Sequence, residues 1–171
     1  MSRPVLAFAL VLLSLVAGTR LAAAEDALFA FAKGRAEVAL PSDYRVRLEP
    51  DGSLVAVFGP GGTHRLEIAF HDYAGTPGGD GLAERFVRAM GEKLNRPVKR
   101  AHGKMVLFEE AGEFRRFEVD YRVARWQIGA GKSLFVMTLT APVADQLSPP
   151  LRDFVEHRYD AILKSLRRTA T

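Results

Sequence analysis

Period-two alternation, broken at short intervals by Gly- and Pro-rich turns, constrains this chain more than any other feature. Tyr44, Val46 and Leu48 alternate with Arg45, Arg47 and Glu49, the pattern of a half-buried strand. Pro50-Asp51-Gly52 supplies a turn, and Ser53 to Phe58 follows as a strand with apolar residues on both faces. Gly59-Pro60-Gly61-Gly62 turns the chain into Thr63 to His71, where His64, Leu66, Ile68 and Phe70 share one face. Ala36 to Leu40 reads as a short strand ahead of Pro41. Turns this short join antiparallel neighbours, because a parallel connection needs a dozen or more residues.

Two segments switch to helical spacing. Tyr73 to Gly81 is a Gly- and Pro-rich loop, after which Leu82, Phe86, Ala89, Met90 and Leu94 recur at three and four residues. The spacing predicts an amphipathic helix over 81–95, with Asp80 as N-cap and Pro97 as the stop. Ser148-Pro149-Pro150 opens a second helix with the buried stripe Leu151, Phe154, Val155, Ile162, Leu163 and Leu166. Arg167 and Arg168 fall at its C-terminal end, where the helix dipole favours cations.

Between the helices lies a second run of strands. Lys104 to Glu110 is expected to turn at Ala111-Gly112 into a strand from Glu113 to about Ile128. Gly129-Ala130-Gly131 then leads to Ser133 to Thr140, a central strand apolar on both sides. Such strands need cover on both faces. The fold class expected is therefore α+β: a largely antiparallel sheet flanked by helices, an α/β/α sandwich in a single domain over residues 36–168. Residues 25–35 form an N-terminal segment that adds to the cover. No internal repeat or low-complexity linker interrupts the chain.

Residues 1–24 have the three parts of a signal peptide. Arg3 begins it, Val5 to Ala17 is an apolar run broken only by Ser14, and Leu21-Ala22-Ala23-Ala24 offers a cleavage site. A run this short falls below the roughly 20 apolar residues that span a bilayer. Export with cleavage near Ala24 is the expectation, which places the protein in a periplasm. The chain has no Cys, which excludes a lipid-modified N-terminal Cys, thiolate metal sites and Cys nucleophiles. Charge tempts toward nucleic acid: Lys plus Arg number 24 against 20 Asp plus Glu, a net +4. Removing residues 1–24 takes away two arginines and no acid, leaving 22 against 20. The remaining charges alternate in sign along the strands, so a solvated mixed face is expected and no nucleic-acid partner.

The C-terminal block Leu134-Phe-Val-Met-Thr-Leu-Thr-Ala141, a Pro, a loop and a helix ending Ala161-Ile-Leu-Lys-Ser-Leu166 carries a resemblance. So does the opening, where a Pro-bounded strand around Tyr44 leads through a turn to a strand near Phe58. Together they resemble the PsbP-like superfamily, whose fold is shared with the Ran-binding Mog protein and DcrB-type bacterial envelope proteins. The resemblance covers most of residues 36–168 and rests on element order. It implies a non-enzymatic binding or assembly role, brings no catalytic residue, and leaves the specificity of binding open.

Chemistry-bearing motifs are sparse. Gly129-Ala-Gly-Lys-Ser133 ends like a phosphate loop, but Trp126 stands where the first Gly belongs and a strand follows where a helix is needed. His64, His71, His102 and His157 make no metal-type spacing, and neither metal nor cofactor is expected. Ser42, Ser53, Ser133, Ser148 and Ser165 lie outside any GxSxG pattern. Glu109 and Glu110 are adjacent on a strand and point opposite ways. The more suggestive residues are aromatic and basic. Parity puts Trp126 on the polar face with Arg116 and Arg122, and Arg45 and Arg47 line a sheet face. An exposed Trp beside Arg has the composition of a binding hot spot, whereas a helix packed over it would turn it into core.

The leading expectation is a soluble periplasmic accessory protein that binds a protein partner or envelope assembly through Trp126, Arg116, Arg122, Arg45 and Arg47. The alternative is a small-ligand or lipid carrier with an apolar cavity between sheet and helix, lined by residues such as Phe86, Met90, Phe108 and Met137. A hydrolase would need Ser, His and carboxylate groups gathered by the fold.

Overall fold

A computed structural model describes residues 25–145 and 148–169. The expected signal peptide lies outside the described residues. Among the described residues ten strands form two sheets: β1 (Asp26–Phe31), β2 (Ala36–Pro41), β3 (Arg45–Leu48), β4 (Leu54–Phe58), β5 (His64–Asp72), β6 (Val98–Ala101), β7 (Lys104–Arg116), β8 (Val119–Ala130), β9 (Ser133–Pro142) and β10 (Arg167–Arg168). Helix α1 (Leu82–Leu94) separates β5 from β6. The C-terminal helix comprises α2 (Pro149–Asp153), a π turn over Phe154–Arg158, and α3 (Tyr159–Ser165).

The large sheet runs β3-β4-β5-β9-β8-β7-β6 and every pairing in it is antiparallel. The small sheet has the order β1-β2-β10 and is also antiparallel. The α+β sandwich expected from alternation is met. Strand β9 is central because both its faces are buried: Phe135, Met137 and Leu139 on one, Leu134 on the other.

Each face has its own cover. Ala83 and Val87 of α1 pack with Met105, Leu107 and Leu134. Gly129 of β8 permits this approach, since a Cβ there would meet the Ala83 carbonyl oxygen at 2.6 Å. On the opposite face Leu54, Leu66, Ile68, Ile128, Phe135 and Met137 pack under the C-terminal helix and the small sheet, which contribute Phe154, Ile162, Leu163, Phe31, Val38 and Leu40. The second outer layer is thus part helix and part sheet. Strand β1 carries no clean alternation of its own; pairing with β2 from Asp26↔Pro41 to Phe31↔Ala36 orders it.

Four local expectations are corrected. Asp80 is not the cap of α1: Gly81, at φ 69°, takes the N-cap position, and the Asp80 carboxylate pairs with Lys132 Nζ at 3.0 Å. Ala111-Gly112 is not a turn but a bulge, where the β7–β8 register shifts between Glu110 and Gly112. The hairpin continues to Phe117 and Glu118, both left-handed at φ 47° and 62°. Val155 leaves the buried stripe and is 61% exposed, because the π turn inserts a five-residue step from Phe154 to Tyr159. Arg167 and Arg168 leave the helix and pair with Glu37 and Ala36 of β2. The Arg167 guanidinium also bonds the Glu37 carboxylate.

Candidate functional site

A groove of 540 Å³ lies between the sheet and the C-terminal helix. Phe108, Ala124, Trp126, Leu139 and Ala141 enter it from β7, β8 and β9, while Leu151, Val155 and Tyr159 wall it from the helix. Its centre is aromatic. Trp126 lies 5.3 Å from Phe108, 5.2 Å from Tyr159 and 6.3 Å from Phe154, ring centroid to ring centroid. Charged residues form its rim: Glu110 and Arg122 on the sheet side, Arg152 and Glu156 on the helix side. The Arg122 guanidinium bonds Glu113 at 2.8 and 3.0 Å. Burial, and then the neighbouring Asp160 charge, push the Tyr159 phenol up to about 12, so it stays protonated across physiological pH.

Of the two readings open for Trp126, an exposed hot spot or a residue with a helix packed over it, the structure has the second. Trp126 does share a face with Arg122, yet it is 9% exposed because Tyr159 and Phe154 pack over it. It forms the floor of the groove. The other expected residues are dispersed. Arg116 lies at the far end of β7 with its guanidinium 5.0 Å from the Phe117 ring. Arg45 and Arg47 lie on β3, the opposite edge strand. Four strand spacings separate β3 from β8, about 19 Å at roughly 4.8 Å each. Arg47 pairs with Glu49 at 2.8 Å. The groove therefore gathers Trp126 and Arg122, not all five.

Of the residues named for an apolar carrier cavity, only Phe108 lines the groove. Met137 is fully buried in the core, and α1, which bears Phe86 and Met90, covers the other face of the sheet. The sequence reading missed Tyr159, although it stands four residues after Val155 on the same stripe of a helix of 3.6 residues per turn. The relevant signal is spacing: Leu151, Tyr159, Ile162 and Leu166 already share one face at helical spacing, and the five-residue step from Phe154 to Tyr159 turns Val155 outward.

The remaining motifs resolve into local structure. The Gly129–Ser133 segment is a hairpin turn bound to α1, with the Gly131 amide donating to Glu84 Oε1 at 3.3 Å and its carbonyl accepting from the Ala83 amide at 3.2 Å. His64 is fully buried, stacked on Phe58 at 5.2 Å, with Nε2 3.3 Å from Ser148 Oγ and Nδ1 3.2 Å from Thr63 Oγ1. Burial lowers its pKa against the opposing pull of Asp145. His102 pairs with Asp160 at 2.8 Å. Glu109 accepts from Arg125 and Gln127 on the α1 side, while Glu110 faces the groove. Among the described residues no three His, Cys, Asp or Glu side chains gather as a metal site. No described helix is long and apolar enough to cross a membrane.

No family model and no curated protein matches this chain. Solved structures do. A crystal structure from Bacteroides thetaiotaomicron VPI-5482 aligns with 84% of the chain at 14% identity and a TM-score of 0.61. The chain spans 48% of that protein's length, so the likeness is one of fold. LpqN, described as involved in cell envelope biogenesis of Mycobacterium tuberculosis, aligns with 85% of this chain and 91% of its own at 15% identity and a TM-score of 0.45. Cyanobacterial PsbP from Synechocystis sp. PCC 6803 aligns over 90% of this chain and 98% of its own at 10% identity and a TM-score of 0.38.

Proposed function

We propose that this chain is an exported, non-catalytic accessory protein that binds a protein partner of the cell envelope in the groove over Trp126. On this reading residues 1–24 are removed and the domain of residues 36–168 works in the periplasm. The supporting observation is the solvent-open aromatic groove, where Phe108 and Val155 are 47% and 61% exposed beside a buried Trp. Leaving that apolar surface wet costs stability, and a partner's apolar side chain removes the cost. Arg122, Arg152, Glu110 and Glu156 supply a polar rim of both signs, the usual surround of a binding core.

In-cell crosslinking tests this with a photoreactive residue at Val155 and, as control, at the exposed Lys93 of α1, which covers the other face of the sheet. An envelope protein captured at Val155 and lost in the Phe108→Glu variant supports the reading. Equal capture at both positions, or capture indifferent to Phe108→Glu, overturns it.

A second reading is favoured by the groove's size. At 540 Å³ it falls within the range of small-molecule sites, so a carrier of an apolar ligand fits the same walls. Native mass spectrometry of protein purified from its own envelope separates the two: a stoichiometric small ligand, displaced by Val155→Arg, supports the carrier.

A further inference from the structure

We propose that two copies of this chain associate edge to edge through the outer half of β7. Strand β6 covers β7 only from Lys104 to Leu107. From Phe108 to Arg116, β7 pairs with β8 on one side, and among the described residues no strand pairs with the other. Such an edge is a template for another strand. The bulge at Glu110/Gly112 breaks its straight run, so the usable stretch is Gly112 to Arg116.

The sequence of that stretch selects a second copy as the occupant. Glu113 and Arg115 are paired with Arg122 and Asp120 of β8, which puts both on the groove face with Trp126 by parity. Phe114, paired with Tyr121, is on the opposite face. A two-fold axis perpendicular to the sheet at Phe114 makes the copies antiparallel and keeps each face on its own side. Glu113 then stands opposite Arg115 of the second copy, and Arg115 opposite its Glu113. A parallel copy would place like charges together. Glu113 already holds Arg122, and Arg115 holds Glu118 at 3.0 Å, so the new pairs join existing ion pairs into a network. On the other face the two Phe114 rings meet at the axis, each stacked on its own Tyr121 at 5.3 Å.

The same register accounts for an unusual concentration of exposed apolar surface. Phe108, Phe114, Phe117 and Val119 are 47%, 44%, 83% and 38% exposed, and all lie on this hairpin. Centring on Phe114 brings the hairpin tip of one copy, with Phe117, alongside Glu110 and Ala111 of the other. The tip then reaches toward the open ring of Phe108. The two large sheets join into one, with α1 and β6 of each copy displaced to opposite ends.

Light scattering and sedimentation velocity of the protein, expressed as the full chain, test this across a concentration series. A mass twice that of the chain recorded by mass spectrometry is expected as concentration rises. Arg115→Glu sets two carboxylates against each other at both symmetric sites and is expected to weaken association about tenfold or more. Glu113→Arg combined with Arg115→Glu reverses both partners and restores the dimer, which no loss of an internal ion pair would do. Phe114→Glu, with an unchanged melting temperature, is expected to leave a monomer. A monomer at every concentration, or a dimer indifferent to Arg115→Glu and Phe114→Glu, overturns the proposal.

Discussion

Trp126 of β8 and Tyr159 of the C-terminal helix meet with ring centroids 5.2 Å apart, and this contact decides whether the only Trp of the chain is surface or core. Truncating Tyr159 to Ala opens the groove floor. The variant is expected to lose about 2 kcal/mol of stability in urea unfolding. Its Trp emission should shift to longer wavelength in the folded state. An unshifted spectrum would mean that Phe154 and Leu151 alone keep the indole dry.

The hairpin tip carries a cost that can be removed. Phe117 and Glu118 both hold left-handed backbone, which non-Gly residues adopt at about 1–2 kcal/mol each. A two-residue hairpin of this kind is best made by Asn-Gly. Phe117→Asn with Glu118→Gly is therefore expected to raise stability by about 1–2 kcal/mol, read as a higher urea midpoint with an unchanged slope.

His64 sets a pH dependence of known sign. Burial lowers its pKa below the ordinary 6.5, so the folded state resists the proton more than the unfolded chain does. Above pH 6.5 both states are neutral and the stability is fully present. As pH falls from there toward the lowered folded-state pKa, the unfolded chain takes up a proton first and stability declines, by at most about 1.4 kcal/mol per pH unit. His64→Gln is expected to flatten the urea midpoint between pH 7 and the acid side of that window. A slope as steep as the parent's would assign it to another group.

Gly129→Ala tests the closeness of α1 to the sheet. The added methyl group meets the Ala83 carbonyl carbon and oxygen at 2.8 and 2.6 Å and Glu84 Cα at 3.0 Å, all backbone atoms of the helix. Backbone cannot rotate away as a side chain can, so the helix must lift. A loss of about 2–3 kcal/mol is expected in thermal or urea unfolding. Gly131→Ala at the adjacent turn, where nothing lies within 4 Å but φ is 57°, should cost less, about 1 kcal/mol.

Much of the site's scaffold was legible in the residues, and its key contact was not. Alternation in Thr63–His71 correctly placed His64 with Leu66 and Ile68 inside. Parity correctly put Trp126 and Arg122 on one face. The helix stripe failed at Val155 because a π turn spans Phe154–Arg158, a segment with no Gly or Pro to mark it. Ala111-Gly112 looked like a turn since Gly marks turns and bulges alike, and the true turn at Phe117-Glu118 uses residues that local preference argues against.

By itself the sequence determined the class of this protein. Period-two and 3.6-residue patterns are local, so they fix which residues share a face and, with short turns, that the sheet is antiparallel. Only the tertiary structure decided which faces are covered and by what. Tyr159 over Trp126 and β10 against β2 join segments far apart in the chain, and no local period records such a contact.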